Sequence, residues 1–155
     1  MVNENTATES FTSFVKETEP RLKVALIAAF GREVGVEATA DALAYGWEHW
    51  NRIRGMKNPA GYLWTVGRNR ARRLASRSPK LFESVVVDRQ PWAEPGLVPA
   101  LEKLSEKQRV TVLLVHGFEW RLAEVADLMG VSVSTVQKHT ERAMRRLRRS
   151  LRTES

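Results

Sequence analysis

Ser132, Ser134, Thr135, Gln137, Lys138, His139, Arg142 and Arg145 fall in one short stretch of the chain. Hydroxyls, an amide and cations in this mixture suit phosphate oxygens and the edges of paired bases. A second set is Asn58, Trp64, Arg68, Asn69, Arg72 and Arg73, again within one stretch. There an aromatic ring shares a helix row with arginines, the combination that stacks an unpaired base and neutralises its backbone. On periodicity alone Trp64 keeps two readings, a base stacker or a core residue. The makings of covalent chemistry are missing. His49, His116 and His139 are far apart and lack ligand spacing, there is no Ser/His/Asp set or glycine-rich phosphate loop, and there is no cysteine. No catalytic residue, metal site or cofactor is expected, and the lack of cysteine fits a reducing cytoplasm.

The elements that must position the first set can be read directly. Residues 122–139, LAEVADLMGVSVSTVQKH, spell a helix, a tight turn and a second helix. Ala126 is small enough to let two helices approach, Gly130 can take the left-handed conformation that ends the first, and Val136 faces back onto it. Ser132 is placed to cap the second helix, whose start also offers N–H groups to a phosphate. That helix runs from about Val133 to Leu151 on a buried stripe of Val136, Ala143, Leu147 and Leu151, with arginines on its other faces. Upstream, Ser105 and Gln108 form a capping box for a helical unit over 98–118, ending near Gly117.

The second set lies on a helix over 59–76. Asn58 caps it, Pro59 suits its first turn, and Ala60, Leu63, Gly67, Ala71 and Leu74 give it a buried face. Before it come a helix over 21–31 (Leu22, Ala25, Leu26, Ala29) ending at Gly31, and one over 37–54 (Ala38, Ala42, Tyr45, Trp50) ending at Gly55. Trp47 and Trp50 are read as core. Residues 1–20 are acidic and read as a partly disordered start. Pro79, Pro91, Pro95, Gly96 and Pro99 break helices, so a flexible linker is expected at 80–97, with Leu81–Val87 as a short packed turn. The expectation is an all-α chain of two small helical domains, 21–79 and 98–152, the second a helix-turn-helix resembling a winged helix without its wing.

Composition agrees. Hydrophobic residues make up 43% of the 155, enough for a folded core. The net charge of +7 favours a polyanionic partner, and it concentrates in the C-terminal arginines and in Arg68, Arg70, Arg72, Arg73, Arg77 and Lys80. No apolar run reaches the roughly 18–20 residues that span a bilayer. The start, MVNENTATES, lacks the parts of a signal peptide. A cytoplasmic protein without membrane contact is expected.

In this order these parts resemble the extracytoplasmic-function sigma factors of bacterial RNA polymerase, of the sigma-70 family. NPAGYLWTVGRNRARRLASR looks like the family's promoter-melting helix. LSEKQRVTVLLVHGFEWRLAEVADLMGVSVSTVQKHTERAMRRLRRSL looks like its C-terminal domain over the full length. The resemblance implies a non-enzymatic, monomeric factor. Its N-terminal domain would bind the clamp helices of core RNA polymerase and the melted proximal promoter element. Its C-terminal domain would read the distal element and touch the polymerase flap, and an anti-sigma protein commonly restrains such factors. Polymerase contact would fall to Glu37, Asp41 and Glu48. The stretch EATADALAYGW departs from the family's D-x-V-Q-E-x-F pattern. Ala40 stands where glutamine is usual and Leu43 where phenylalanine is, and by the resemblance the alanine would forgo a hydrogen bond to polymerase, weakening or rearranging the clamp contact. Two other readings are a stand-alone helix-turn-helix regulator and a sigma mimic that occupies polymerase without initiating.

Overall fold

The spacing of Phe11, Phe14, Thr18, Leu22, Ala25, Leu26 and Ala29 lays one apolar stripe along a helix, and that helix organises the N-terminal half. A computed structural model describes residues 4–76 and 96–154. In it α1 runs Glu4–Phe30, α2 Arg32–Glu48, α3 Trp50–Ile53 and α4 Pro59–Ala75. The C-terminal half holds α5 (Leu97–Glu102), α6 (Glu106–Val112), a π-helical turn (Leu113–Gly117), α7 (Leu122–Met129) and α8 (Val133–Glu154). Among the described residues there is no strand. The expected linker at 80–97 lies almost wholly outside the described residues, as do Leu81–Val87, Arg77 and Lys80.

Two expectations for the N-terminal half are corrected. The acidic segment is not disordered from residue 4 onward. It extends α1, because Phe11 and Phe14 pack on Trp50 with ring centroids 5.2 and 4.9 Å apart and Phe11 also meets Trp47 at 5.4 Å. The helix continues through Pro20, which has no N–H to give its ladder. The helix expected to run on to Gly55 instead breaks at His49, and a separate short α3 follows. Helix α1 ends at Gly31, whose φ of 91° is one that side chains resist. Immediately beyond, α1 and α2 come so close at Gly35 that a Cβ there would lie 2.6 Å from the Ile27 backbone.

Leu22, Leu26, Leu63, Trp64 and Ala71 form the centre of the core with α2. Full burial of side chains such as Leu22 and Leu26 contributes about 1.5–3 kcal/mol each. The same cluster continues into the other half through Val110, Leu114, Val125, Ala126, Leu128 and Val136. A smaller cluster of Leu101, Leu104, Val112, Ala143 and Leu147 fixes α5 and α6 on α8. The two halves thus share one apolar core. Polar ties accompany it: the Arg109 guanidinium donates twice to the Ala29 carbonyl, at 2.7 and 3.1 Å.

Candidate nucleic-acid interface

The turn between α7 and α8 is built as its residues require. Gly130 sits at φ 68°, ψ 35°, and the Val131 N–H returns to the Ala126 carbonyl at 3.0 Å. Ser132 caps α8, its Oγ accepting from the Thr135 N–H at 3.1 Å and lying 2.8 Å from the Thr135 hydroxyl and 3.1 Å from that of Ser134. Val136 is fully buried in the shared core and fixes the helix against α7. Thr140, Ala143 and Leu147 continue that inner row, and the Thr140 hydroxyl is satisfied by the Val136 carbonyl at 2.8 Å.

The outer face of α8 therefore carries Ser134, Lys138, Arg142 and Arg145 in one row, with Gln137 beside them, all exposed. Thr135 and His139 are half-buried at its edges. Ser132 commits its hydroxyl to the cap at the start of α8. Burial holds the His139 imidazole below its usual pKa, and the positive charges of Lys107 and Arg142 push the same way. It is a neutral donor and acceptor at pH 7. Arg146 leaves the face. It turns inward to the Lys103 carbonyl at 2.7 Å and the Gln108 side-chain oxygen at 2.8 Å.

Helix α4 begins as expected: Asn58 Oδ1 accepts the Gly61 N–H at 3.0 Å and Pro59 opens the helix. The second residue set then divides. Asn69 and Arg73 are exposed with Thr65 on one row. Arg68 and Arg72 face the C-terminal half. Arg72 grips Glu106 through Nε at 2.8 Å and Nη2 at 2.9 Å, while Arg68 Nε stands 3.9 Å from the same carboxylate with no hydrogen bond of its own. Asn58 Nδ2 donates to the Asp127 carbonyl at 2.7 Å.

Trp64 is a correction. It is only 1% exposed, inside the core, with no hydrogen-bond partner for its indole N–H. A ring so enclosed cannot stack a base. Aromatic surface on this side comes from Tyr62, which periodicity passed over, and from Tyr45, counted among the periodic residues of the helix before it. The hydroxyls of Tyr45 and Tyr62 lie 3.3 Å apart, and Arg52 Nη2 donates to both, at 3.2 and 3.4 Å. His49 stacks on Tyr45 with centroids 4.1 Å apart. The hydrogen bond between the two hydroxyls, and then that from Arg52, lowers the Tyr62 pKa, while the bond to Tyr62 raises that of Tyr45. Tyr62 lies three residues past Pro59, and that proximity to the helix start was the available signal.

On α2, Glu37 and Glu48 are exposed, and Asp41 pairs with Arg70 at 3.5 Å. Ala40 lies exposed between Val36, 45% exposed, and Trp47, 48% exposed. Trp50 takes its expected core place, but Trp47 does not, because it falls on the same outer row of α2 as the exposed Val36, Ala40 and Ala44.

The fold and this site define an all-helical protein carrying a helix-turn-helix of the type that enters the DNA major groove. Residues 97–147 match the family described as Sigma-70, region 4. The ECF RNA polymerase sigma factor SigG of Mycobacterium tuberculosis, in strains CDC 1551 and H37Rv, is 36% identical over 64 residues. That alignment covers 41% of this chain and 17% of the relative, so the chain matches under a fifth of the relative's length. The sigma factor RpoE of Bartonella quintana, solved in complex with the anti-sigma factor NepR, shares the fold with a TM-score of 0.56 at 20% identity over 95% of this chain and 99% of that one. Residues 97–147 thus carry a sigma-70 region 4, and the chain as a whole shares the fold of a solved sigma factor. Among the described residues no helix is long and apolar enough to cross a membrane.

Proposed function

We propose that this chain is a non-enzymatic sigma factor that gives core RNA polymerase its promoter specificity. The observation that carries the reading is the α8 face. Ser134, Gln137, Lys138, Arg142 and Arg145 stand exposed on a helix that Val136 and the Gly130 turn hold against α7. Inserted in the major groove, Gln137 and Ser134 reach base edges and the cations take phosphates, with Thr135 and His139 at the margin. This half reads the distal promoter element and touches the polymerase flap.

The N-terminal half holds the melted proximal element. Asn69 and Arg73 meet it first, Asn58, Arg68 and Arg72 join when uncovered, and Tyr62 supplies the stacking surface in place of Trp64. Glu37, Asp41 and Glu48 receive the basic side of the polymerase clamp helices, beside the apolar strip of Val36, Ala40 and Trp47. An anti-sigma protein is a fitting restraint, and the cytoplasm is the fitting compartment.

Run-off transcription tests the reading. Core polymerase, this protein and a promoter library should give transcripts that start at a fixed distance from a shared two-part motif. Core binding without transcripts would leave a sigma mimic. No core binding, with tight palindromic duplex binding by a dimer, would leave a stand-alone regulator.

A further inference from the structure

We propose that the C-terminal half is a built-in competitor for the nucleic-acid surface of α4, with the Glu106 carboxylate standing where a strand phosphate would stand. The proposal rests on reading α4 as the strand-binding helix.

Three of the six residues assigned to an unpaired strand are already engaged by the other half. Arg72 holds Glu106 through two parallel N–H···O bonds at 2.8 and 2.9 Å. That fork is how arginine takes a phosphate. Asn58 gives its amide to the Asp127 carbonyl at 2.7 Å. Arg68 lies against the same Glu106, yet its Nε is buried without a hydrogen bond at 3.9 Å. The Arg72 fork takes both oxygens of the one carboxylate and leaves Arg68 Nε unsatisfied, whereas a strand brings successive phosphates, one for each arginine. The competitor is therefore a partial mimic that a real strand can displace.

The closed arrangement is held from several sides. Val110, Leu114, Val125, Ala126 and Leu128 join the core of the N-terminal half. Arg109 is tied to the Ala29 carbonyl, Arg21 pairs with Glu124 at 3.5 Å, and the Arg21 guanidinium lies 5.3 Å from the Trp120 ring centroid. Meanwhile the α8 row of Ser134, Lys138 and Arg142 remains exposed. The closed chain thus presents its duplex-facing helix and engages two of its strand-facing arginines, Arg68 and Arg72, while Arg73 stays exposed. Because the Glu106–Arg72 pair is partly exposed, salt and a competing polyanion weaken it.

The test measures binding of a labelled single-stranded DNA of about 20 nucleotides, and of its duplex, to the full chain by fluorescence anisotropy, with folding checked by circular dichroism. Glu106→Gln should tighten single-strand binding about fivefold, near the upper end for releasing one exposed ion pair. Duplex affinity should not change, Glu102→Gln should have no effect, and adding Arg72→Ala should remove the gain. If Glu106→Gln changes nothing while Arg72→Ala weakens the parent chain, the competitor is overturned and the strand-binding reading stands. Equal gains for single strand and duplex, or a gain with Glu102→Gln, would mean general charge relief and also overturn it. If no variant binds single strand and Arg72→Ala is silent, the reading of α4 itself fails and the competitor falls with it.

Discussion

Asn58 is bonded at both ends of its amide: the oxygen caps α4 at the Gly61 N–H, and the nitrogen donates to the Asp127 carbonyl at 2.7 Å. One side chain thus starts a helix and ties together two halves of the chain. Asn58→Asp keeps the capping oxygen and loses the donor, whereas Asn58→Ala loses both. Urea unfolding followed by tryptophan fluorescence should find the alanine variant about 1 kcal/mol less stable than the aspartate variant, the usual worth of an N-cap. Equal stabilities would show that the cap contributes nothing here.

Trp64 and Tyr62 sit two residues apart and should respond in opposite ways. Trp64→Ala opens a cavity in the shared core and should cost about 3–5 kcal/mol of stability. Tyr62→Ala, at a half-buried ring, should cost less stability than Trp64→Ala and weaken single-strand binding, by on the order of 1–3 kcal/mol if the ring stacks a base. A strand affinity unmoved by Tyr62→Ala would remove the ring from the interface.

Lys138 and Arg142 share the outer row of α8. Replacing both by alanine should reduce the slope of log affinity against log salt by about two units, since each lost phosphate contact is worth nearly one. The readout is duplex anisotropy across a salt series. An unaltered slope would place both side chains away from the DNA.

Gly130 isolates a purely conformational effect. It adopts φ 68°, and a Cβ there would meet no atom within 4 Å. Gly130→Ala should therefore cost about 1–2 kcal/mol through backbone strain alone. Gly130→Asn should cost less, because asparagine tolerates the left-handed region. Calorimetry of the two variants separates these outcomes.

His139 should make stability depend on pH. Burial lowers its folded pKa below the unfolded value of about 6.5, so the unfolded chain binds the proton more readily. Stability is then full above about pH 6.5 and is lost as pH falls below it. His139→Gln should flatten the difference in melting temperature between about pH 7.5 and pH 5. A variant that retains the parent's full dependence would assign the titration to another group.

Local signals were the most legible part of the sequence. The Ser105–Gln108 capping box, the Asn58 cap, the Gly130 turn and the Val136 lock all take the places their spacing demanded. Each is set by residues within a few positions of one another, where backbone geometry leaves little choice. The helix start at Glu4 was hidden for the opposite reason. Its support comes from Trp47 and Trp50, some forty residues away, and an acidic surface carries no sign of them.

By itself the sequence determined the helical character, the helix-turn-helix and the polar row that α8 turns outward, because periodicity and caps are local. Only the tertiary structure decided which arginines of α4 stand free. Arg68, Asn69, Arg72 and Arg73 look alike in the chain, yet packing of α6 and α7 on α1 and α4 brings Glu106 and Asp127 over one row and leaves the other open. The same packing turned Trp64 from a candidate stacker into core, since burial depends on partners distant in sequence that helical spacing cannot specify.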